Sequence, residues 1–305
     1  MEVITIENLT NLKVNCAVAI GFFDGIHLGH QVVIENITKY AKANQLKSVV
    51  ITFDRSPKVA LGYATDDGHI TPLSEKLRIF KEIGIDYTLI LKFDTTLLNL
   101  TAQDFIQTYL LETNVHLVSI GFDFRFGQGG AGDANYLATQ KTFKVEVAQP
   151  VLISNIKIST TEIKNALKEG NLPVANQMLG RAFSISGEVV YGKQLGQTIG
   201  FPTANLKIDK DYLLPERGVY ATVTHIDGTK FASMTNVGFN PTANLSETIS
   251  IETHLLDCEQ DLYGKILQIE FHKKIRDEMK FESLDALVEQ LKQDKKFVET
   301  MPIQT

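Results

Sequence analysis

Two histidines three positions apart stand in the stretch GFFDGIHLGHQ, residues 21–31, directly after the apolar run Cys16–Ile20. Imidazole nitrogens can donate hydrogen bonds to phosphate oxygens, and the glycines in this stretch let the backbone approach a ligand closely. A helix that begins here would add free N–H groups and the positive end of its dipole. The stretch therefore indicates a phosphate site, although a metal-binding pair or two unrelated surface histidines would show the same spacing.

Two further stretches of the first half are candidate ligand contacts. GFDFRFGQGGAGD, residues 121–133, interleaves glycines with aromatic residues, so it can wrap a flat ring while its backbone contacts phosphate. An ordinary glycine-rich surface loop would have the same composition. ISTTEIK, residues 158–164, places hydroxyl groups at a predicted helix start, where they can cap the helix and also bind phosphate.

The second half carries a different pattern, GKQLGQTIGFPTANL, at residues 192–206. The hydroxyl of Thr203 and the amide of Asn205 suit a magnesium ion bound to a nucleotide, because hard cations prefer oxygen ligands and Mg²⁺ usually keeps some of its water. A β-hairpin with a tight turn and no bound ligand would be compatible with the same sequence pattern. Farther along, strand alternation in TISIETHLLD places Ser250, Glu252 and His254 on the polar face. Glu252 is therefore a candidate base, although a strand glutamate more commonly faces solvent.

The elements that must position these residues differ between the two halves. Short apolar runs alternate with helical periodicities in the first half, which predicts a doubly wound, mostly parallel sheet covered by helices. Ligands of such sheets bind at the carboxyl ends of the strands, where residues 21–31 lie. After a predicted helical segment at 160–180, strands without helices predict a small antiparallel β-barrel, and the tail 283–299 predicts one helix packed against it. We place the domains at 1–181 and 182–305.

Composition narrows the class of protein. A chain of 305 residues with 44% hydrophobic residues can form two sizeable cores. Its net charge of −6 disfavours a nucleic-acid partner. Two cysteines support neither a disulfide framework nor a cysteine zinc site, and neither a signal peptide nor a membrane-spanning run is evident. We expect an unprocessed cytoplasmic protein without a membrane partner.

His27-Leu28-Gly29-His30 resembles the HxGH signature of the nucleotidylyltransferase superfamily, and the preceding Gly-Phe-Phe-Asp-Gly narrows the resemblance to bifunctional prokaryotic FAD synthetases. The resemblance implies an N-terminal domain that transfers AMP from ATP to FMN, with His27 and His30 stabilising the charge that develops on the α-phosphate. The P-loop pattern GxxxxGK[ST] is absent from the sequence, which disfavours an unrelated NTPase. The resemblance assigns nucleotide and flavin contacts to Gly21, Phe22, Asp24, Gly29, Asp123, Phe124, Phe126, Gly127, Ser159, Thr160, Thr161 and Lys164.

The second half resembles a riboflavin kinase domain, through PTAN at 202–205 together with LLPERGVYA, NVGFNPT, ETHLLD, DLYGK and RDEMKFESLDAL. The resemblance implies that Glu252 is the general base for the 5′-hydroxyl of riboflavin and that Thr203 and Asn205 hold Mg²⁺. The remaining nucleotide and flavin contacts that it implies are Gly192, Lys193, Gly196, Gly200, Pro202, Asn236 and Arg276. We assign no role to His225, His254 and His272, which the sequence indicates to be structural or exposed.

The expected activity is phosphorylation of riboflavin to FMN with ATP, followed by adenylyl transfer from a second ATP to give FAD and pyrophosphate. Two residues depart from the family pattern. Lys164 replaces an arginine and cannot form a bidentate fork on phosphate, and Ser56 stands where relatives often carry histidine. One alternative is therefore a riboflavin kinase whose adenylyltransferase half is impaired, and another is a flavin-sensing binding protein. The need for reduced flavin and self-association are left open.

Overall fold

The computed structural model describes residues 1–5, 7–8, 14–63, 68–192, 195–241 and 247–301. These residues form two compact units, which divide between Ser159 and Thr160. The short segment Gly68–Ile70 groups with the second unit.

The first unit is built on a sheet of six parallel strands in the order β1-β4-β3-β2-β5-β6. These strands are β1 (Glu2–Ile4), β2 (Cys16–Ile20), β3 (Lys47–Phe53), β4 (Tyr87–Leu91), β5 (Val115–Gly121) and β6 (Lys144–Ala148). All five residues of β2 are buried, as expected for a strand covered on both faces. Burial raises the pKa of the Cys16 thiol to about 12, and Cys16 and Cys258 are both free thiols. The predicted parallel sheet is confirmed.

Helices cover this sheet. They are α1 (Leu28–Asn44), α2 (Pro57–Ala60), α3 (Leu73–Ile83), α4 (Thr95–Asn99), α5 (Ala102–Ile106), which continues as a π-helical turn (Gln107–Leu111), and α6 (Ala134–Ala138). A 3₁₀ turn (Gln128–Gly130) and a hairpin of β7 (Leu152–Ile153) with β8 (Ile156–Lys157) complete the unit. One apolar core lies on each face of the sheet. Since β2 lies between β3 and β5, the strand order reverses direction at β2, and the loop after β2 begins at this switch point.

The second unit begins with two helices, α7 (Thr160–Lys168) and α8 (Leu172–Leu179). The domain boundary predicted at 181/182 assigns these residues to the first domain instead. In the structure α8 packs on the barrel that follows: the amide of Asn176 donates to the carbonyl of Phe271 at 2.8 Å and accepts from the backbone N–H of Phe183 at 2.7 Å. These contacts account for the grouping of the helical pair with the second unit.

A closed antiparallel barrel forms the body of this unit, in the order β10-β13-β12-β11-β14-β9. Its elements are β9 (Phe183–Val190), α9 (Leu195–Thr198), β10 (Ala204–Ile208), β11 (Gly218–Ile226), β12 (Thr229–Pro241), β13 (Glu247–Leu255) and β14 (Ile266–Arg276), followed by α10 (Leu284–Glu299). Both the predicted barrel and the packed terminal helix are confirmed. Val288, Leu291 and Val298 of α10 face an apolar cluster, whereas Leu284 in the first turn is 56% exposed.

The interior of the barrel contains a fully buried network of hydroxyl groups. Thr222 contacts both Ser233 and Thr235 at 2.8 Å, and Thr235 donates to Thr253 at 3.0 Å. The hydroxyl of Thr224 joins this network through Ser233 at 2.7 Å. Because each buried hydroxyl has a partner, the network links β11, β12 and β13 without leaving an unsatisfied polar group.

Candidate functional site

The loop after β2 turns sharply and delivers the two histidines to the start of α1. Phe23 and Ile26 have φ values of 54° and 42°, a region that side chains other than glycine rarely adopt, and Gly25 has a φ of 85°. His27 then adopts an extended conformation and caps α1, where its Nδ1 accepts from the backbone N–H of His30 at 3.3 Å. Since Nδ1 is an acceptor, the neutral ring of His27 carries its proton on Nε2.

The imidazole rings of His27 and His30 are stacked, with centroids 3.6 Å apart and an angle of 17° between the ring planes. Phe23 meets the ring of His30 edge-on, at 5.4 Å between centroids. A Cβ on Gly29 would lie 3.1 Å from Cε1 of His27, so glycine at this position leaves room for that ring. The structure therefore brings both histidines and Gly29 together at the helix N-terminus, as a phosphate-binding arrangement requires.

Phe22 and Asp24, which we expected to contact ligand, are tied into the body of the unit. Asp24 is 3% exposed, and its Oδ1 accepts from the backbone N–H of Thr71 at 3.1 Å. The hydroxyl of Thr71 in turn accepts from the N–H of Gly25 at 2.5 Å. The carbonyl of Phe22 accepts from the ammonium of Lys76 on α3 at 2.9 Å. Neither Thr71 nor Lys76 was a sequence candidate, although Lys76 shares the buried stripe of α3 with Ile79 and Phe80, a position where lysine is unusual.

The glycine-rich loop after β5 divides into buried and exposed residues. Phe126 is 6% exposed and packs on Phe105 in the core, with centroids 5.2 Å apart. Gly127 has a φ of 72°, and a Cβ there would lie 2.7 Å from the backbone of Ala102, so only glycine fits. Asp123, by contrast, has a largely exposed carboxylate, with the Lys157 ammonium 3.8 Å away. Phe124 is half-buried and stacks on Phe126 at 5.8 Å.

The residues predicted around the start of α7 belong to two units. Ser159 ends the first unit, and Thr160, Thr161 and Lys164 lie on α7 in the second. The ammonium of Lys164 donates to the carbonyl of Gly68 at 2.6 Å. In this arrangement Lys164 holds the backbone of the segment Gly68–Ile70 within the second unit.

Strand register brings three predicted kinase residues side by side. Asn205 of β10 is the direct partner of Glu252 on β13, and Asn236 of β12 is its partner on the other side. Directly paired residues point to the same face of a sheet, with Cβ atoms about 4.5–5.5 Å apart. Glu252 is half-buried, whereas its neighbours in sequence, Ile251 and Thr253, are buried, as the predicted alternation requires.

The glycine-rich segment before β10 packs closely against Asn205, one of these three residues. A Cβ on Gly192 would overlap the side-chain amide of Asn205, and a Cβ on Gly196 would overlap the carbonyl of Phe201. Gly200 has a φ of 80°, which glycine adopts without strain. Lys193, the remaining basic candidate in this segment, lies outside the described residues.

His254, to which we assign no role from the sequence, contacts the Pro-Thr-Ala-Asn segment. Its Nδ1 donates to the carbonyl of Pro202 at 2.8 Å, and its ring meets that of Phe201 at 5.4 Å between centroids. Burial lowers the pKa of His254, partly opposed by the hydrogen bond to Pro202. The neutral ring therefore holds the turn next to Thr203, which is half-buried. The sequence did contain a signal for this role, because His254 lies two residues beyond Glu252 and therefore on the same face of the strand.

Arg276 lies in the same register row but is engaged with the terminal helix. Val219 pairs with Asn236 on one side and with Arg276 on the other. The guanidinium forms a two-pronged contact with Asp294 of α10, through Nε at 3.0 Å and Nη2 at 2.8 Å to Oδ2. Asp294 is 1% exposed and also accepts from Gln290 at 2.9 Å. The predicted ligand contact thus anchors a helix in this structure.

Among the described residues, no three histidine, cysteine, aspartate or glutamate side chains converge as a metal site. In the same part of the chain, every helix is too short or too polar to cross a bilayer.

Comparisons with known proteins cover both units. Residues 10–162 match the family model described as FAD synthetase, and residues 179–301 match the one described as riboflavin kinase. The bifunctional riboflavin kinase/FMN adenylyltransferase of Listeria monocytogenes is 36% identical over 294 residues, which cover 95% of this chain and 93% of that protein. Its namesake from Escherichia coli K12 is 37% identical, with 95% and 94% covered.

A solved structure with the same fold covers nearly all of the chain. A protein from Streptococcus pneumoniae, named as a macrolide-efflux protein, superposes with a TM-score of 0.88 at 35% identity and covers 98% of this chain and 99% of its own. That name concerns the other protein; the fold of both units is what the two chains share. The two family models together match most of the chain, and the chain belongs to the family of bifunctional riboflavin kinase/FMN adenylyltransferases.

Proposed function

We propose that the two reactions of this FAD-forming enzyme take place at the two sites described above, one in each compact unit. The observation that carries the proposal is the separation of the two sets of residues. His27 and His30 lie together in the first unit, whereas Thr203, Asn205 and Glu252 lie in the second. Each unit therefore holds groups suited to one transfer. The functional boundary at 181/182 stays a prediction.

In the kinase reaction, Glu252 accepts the proton of the 5′-hydroxyl of riboflavin as that oxygen attacks the γ-phosphorus of ATP. The bond from the γ-phosphorus to the bridging oxygen breaks, and ADP leaves. Asn205 and Asn236 flank Glu252 and can orient it by their amide groups. Glycines 192, 196 and 200 allow the preceding segment to approach the phosphates.

Magnesium is the metal that this site fits. The hydroxyl of Thr203 and the side-chain carbonyl of Asn205 are hard oxygen donors, and the Gly192 backbone leaves the space beside Asn205 that a Cβ would fill. When bound, Mg²⁺ neutralises phosphate charge that develops during the transfer. Two protein ligands are enough, because Mg²⁺ usually retains water and phosphate oxygens as its other ligands.

In the adenylyltransferase reaction, a phosphate oxygen of FMN attacks the α-phosphorus of ATP, and pyrophosphate leaves. FMN already presents an anionic oxygen, so the reaction requires no protein base. His27 and His30 donate to the α-phosphate oxygens as negative charge accumulates there, and each such donor can be worth about 3 kcal/mol. The N-terminus of α1 adds its dipole to the same region.

Two single substitutions test the division of labour. Purified enzyme is incubated with riboflavin or with FMN, together with ATP and Mg²⁺, and the flavins are separated by chromatography over time. We expect His30→Ala to accumulate FMN from riboflavin, and Glu252→Gln to make FAD from FMN but no FMN from riboflavin. Loss of FAD synthesis from FMN in Glu252→Gln would overturn the assignment. The assays are run with oxidised and reduced flavin.

The impaired adenylyltransferase is the second candidate, favoured by the contact of Lys164 with the Gly68 carbonyl. That ammonium replaces the arginine fork of the family and is already used in a backbone hydrogen bond. If this limits the first half, Lys164→Arg should raise FAD output from FMN; an unchanged output would count against Lys164 as the cause. A flavin-sensing protein would instead bind FMN without converting it.

We place the enzyme in the cytoplasm, with small-molecule partners only and no nucleic acid or membrane partner.

A further inference from the structure

The loop that presents the two histidines is held by contacts with several surrounding elements. Phe23 and Ile26 hold positive φ values, a backbone state that persists only where neighbouring groups determine it. Most of these groups are uncharged. The Thr52 hydroxyl donates to the carbonyl of Phe22 at 3.1 Å, and Thr71 makes the contacts with Asp24 and Gly25.

Lys76 adds a positively charged group to these contacts. Its side chain is 2% exposed, its Nζ lies 2.9 Å from the carbonyl oxygen of Phe22, and the same atom lies 3.9 Å from the centroid of the Phe22 ring. The ammonium also feels the negative charge of the buried Asp24 carboxylate. Glu75, the adjacent acid on α3, is paired instead with Arg78 at 2.5 Å. Lys76 therefore reaches the loop from α3 and interacts with two of its residues, Phe22 and Asp24.

We propose that Lys76 is a positioning residue of the adenylyltransferase centre, whose buried ammonium holds Phe22 and Asp24 and thereby fixes the loop that presents the two histidines. The inference rests on the proposed role of His27 and His30. A misplacement of about 1 Å at a reacting group can cost on the order of 100-fold in rate. A residue that sets the loop therefore changes turnover without touching ATP or FMN.

Because Lys76 is charged, its proposed role predicts a dependence on pH that an uncharged packing residue would not show. Burial lowers the pKa of Lys76 to about 8, although Asp24 opposes this change. Above that pH the ammonium loses its proton and with it the attraction to Asp24. An arginine at the same position stays charged throughout the range.

The test compares Lys76→Met, Lys76→Arg and the control Lys81→Met, an exposed position on the same helix. For Lys76→Met we expect kcat for FAD formation from FMN to fall by about 10- to 100-fold, with KM changed little and riboflavin phosphorylation by the same chain unchanged. The wild-type adenylyl transfer rate should decline above about pH 8, and Lys76→Arg should lose this decline. Equal alkaline declines in wild type and Lys76→Arg, or a kcat for Lys76→Met within twofold of Lys81→Met, would overturn the proposal.

A second measurement does not depend on activity. Histidine-labelled protein is followed by NMR, with the imidazole signals of His27 and His30 assigned by substitution. We expect these signals to shift in Lys76→Met while those of His225 and His272 in the second unit stay in place. Unchanged His27 and His30 signals would contradict the proposal for Lys76, whereas an unchanged adenylyl transfer rate in His30→Ala would contradict the proposed function itself.

Discussion

At the scale of single residues, Glu252 lies between the two amides Asn205 and Asn236 on neighbouring strands. Replacing it with glutamine keeps the shape of the side chain and removes the proposed proton acceptor. We expect Glu252→Gln to lower kcat for riboflavin phosphorylation by about 100- to 10,000-fold, the usual range for a general base. KM for riboflavin should change little.

Steady-state kinetics with riboflavin and Mg-ATP check this expectation. Glu270→Gln is the matched control, because Glu270 is a half-buried acid on another strand of the same barrel, where it contacts His225 at 3.1 Å. A wild-type kcat in Glu252→Gln would remove Glu252 from the chemistry. An equal loss in both variants would point to barrel stability instead.

His254 makes the stability of the second unit depend on pH. Burial lowers its pKa, so the folded chain keeps the ring neutral where the unfolded chain binds a proton. The stabilisation is present above the ordinary histidine value of about 6.5 and is lost as the pH falls through and below it. Burial also lowers the pKa of His272, so His272 likewise makes the second unit less stable as the pH falls.

We expect the free energy of unfolding of the second unit to fall between pH 7.5 and pH 5.5, and His254→Gln to reduce this dependence. Because the chain has no tryptophan, urea unfolding is followed by circular dichroism, with Mg-ATP affinity measured alongside. His225→Gln serves as the comparison. The same pH slope in His254→Gln as in wild type would show that His254 contributes nothing to it.

At the scale of elements, the terminal helix α10 depends on one buried ion pair. Asp294 is 1% exposed and faces the guanidinium of Arg276, whose side chain is 15% exposed. Asp294→Asn leaves that guanidinium without its charge partner, and breaking a buried pair in this way costs about 3–5 kcal/mol. We therefore expect the melting temperature of the second unit to fall in Asp294→Asn.

Calorimetry checks this expectation, with Glu289→Gln as the control, since Glu289 is an exposed acid of the same helix. A melting temperature within a degree of wild type would mean that the ion pair contributes little. Arg276→Lys separates the two roles of the arginine: a raised KM for riboflavin without lost stability would favour the predicted ligand contact over the anchor.

Sequence patterns predicted the elements better than the contacts between them. The alternation of apolar runs and helices predicted the parallel sheet, and the strands without intervening helices predicted the antiparallel barrel. The pairing of Glu252 with Asn205 and Asn236 could not be predicted, because it depends on strand register, which no local sequence pattern reveals. Asp294 lies 18 residues beyond Arg276, and Lys76 reaches Phe22 across 54 residues. Exposed lysine is so common on helices that its burial becomes visible only once α3 is packed.

Across the full chain, the two sets of proposed catalytic residues lie in separate compact units. If the two proposed sites work independently, FMN released by one chain serves as a substrate for another. We expect a mixture of His30→Ala and Glu252→Gln chains to convert riboflavin to FAD, although neither variant does so alone. Chromatography of the mixture checks this. A mixture that forms FMN but no FAD would show that the intermediate passes only within a single chain.

Closure of the barrel sets an order for folding during translation. Strand β9 completes the barrel by pairing with β14, so that Phe183 meets Phe271. Until the ribosome has released β14, both β9 and β11 present open edges, which invite pairing with other chains. All strands of the first unit have emerged by then. A chain that stops at residue 265 should therefore resist protease in its first half and be digested in its second; equal resistance of the two halves would show that the barrel forms without its last strand.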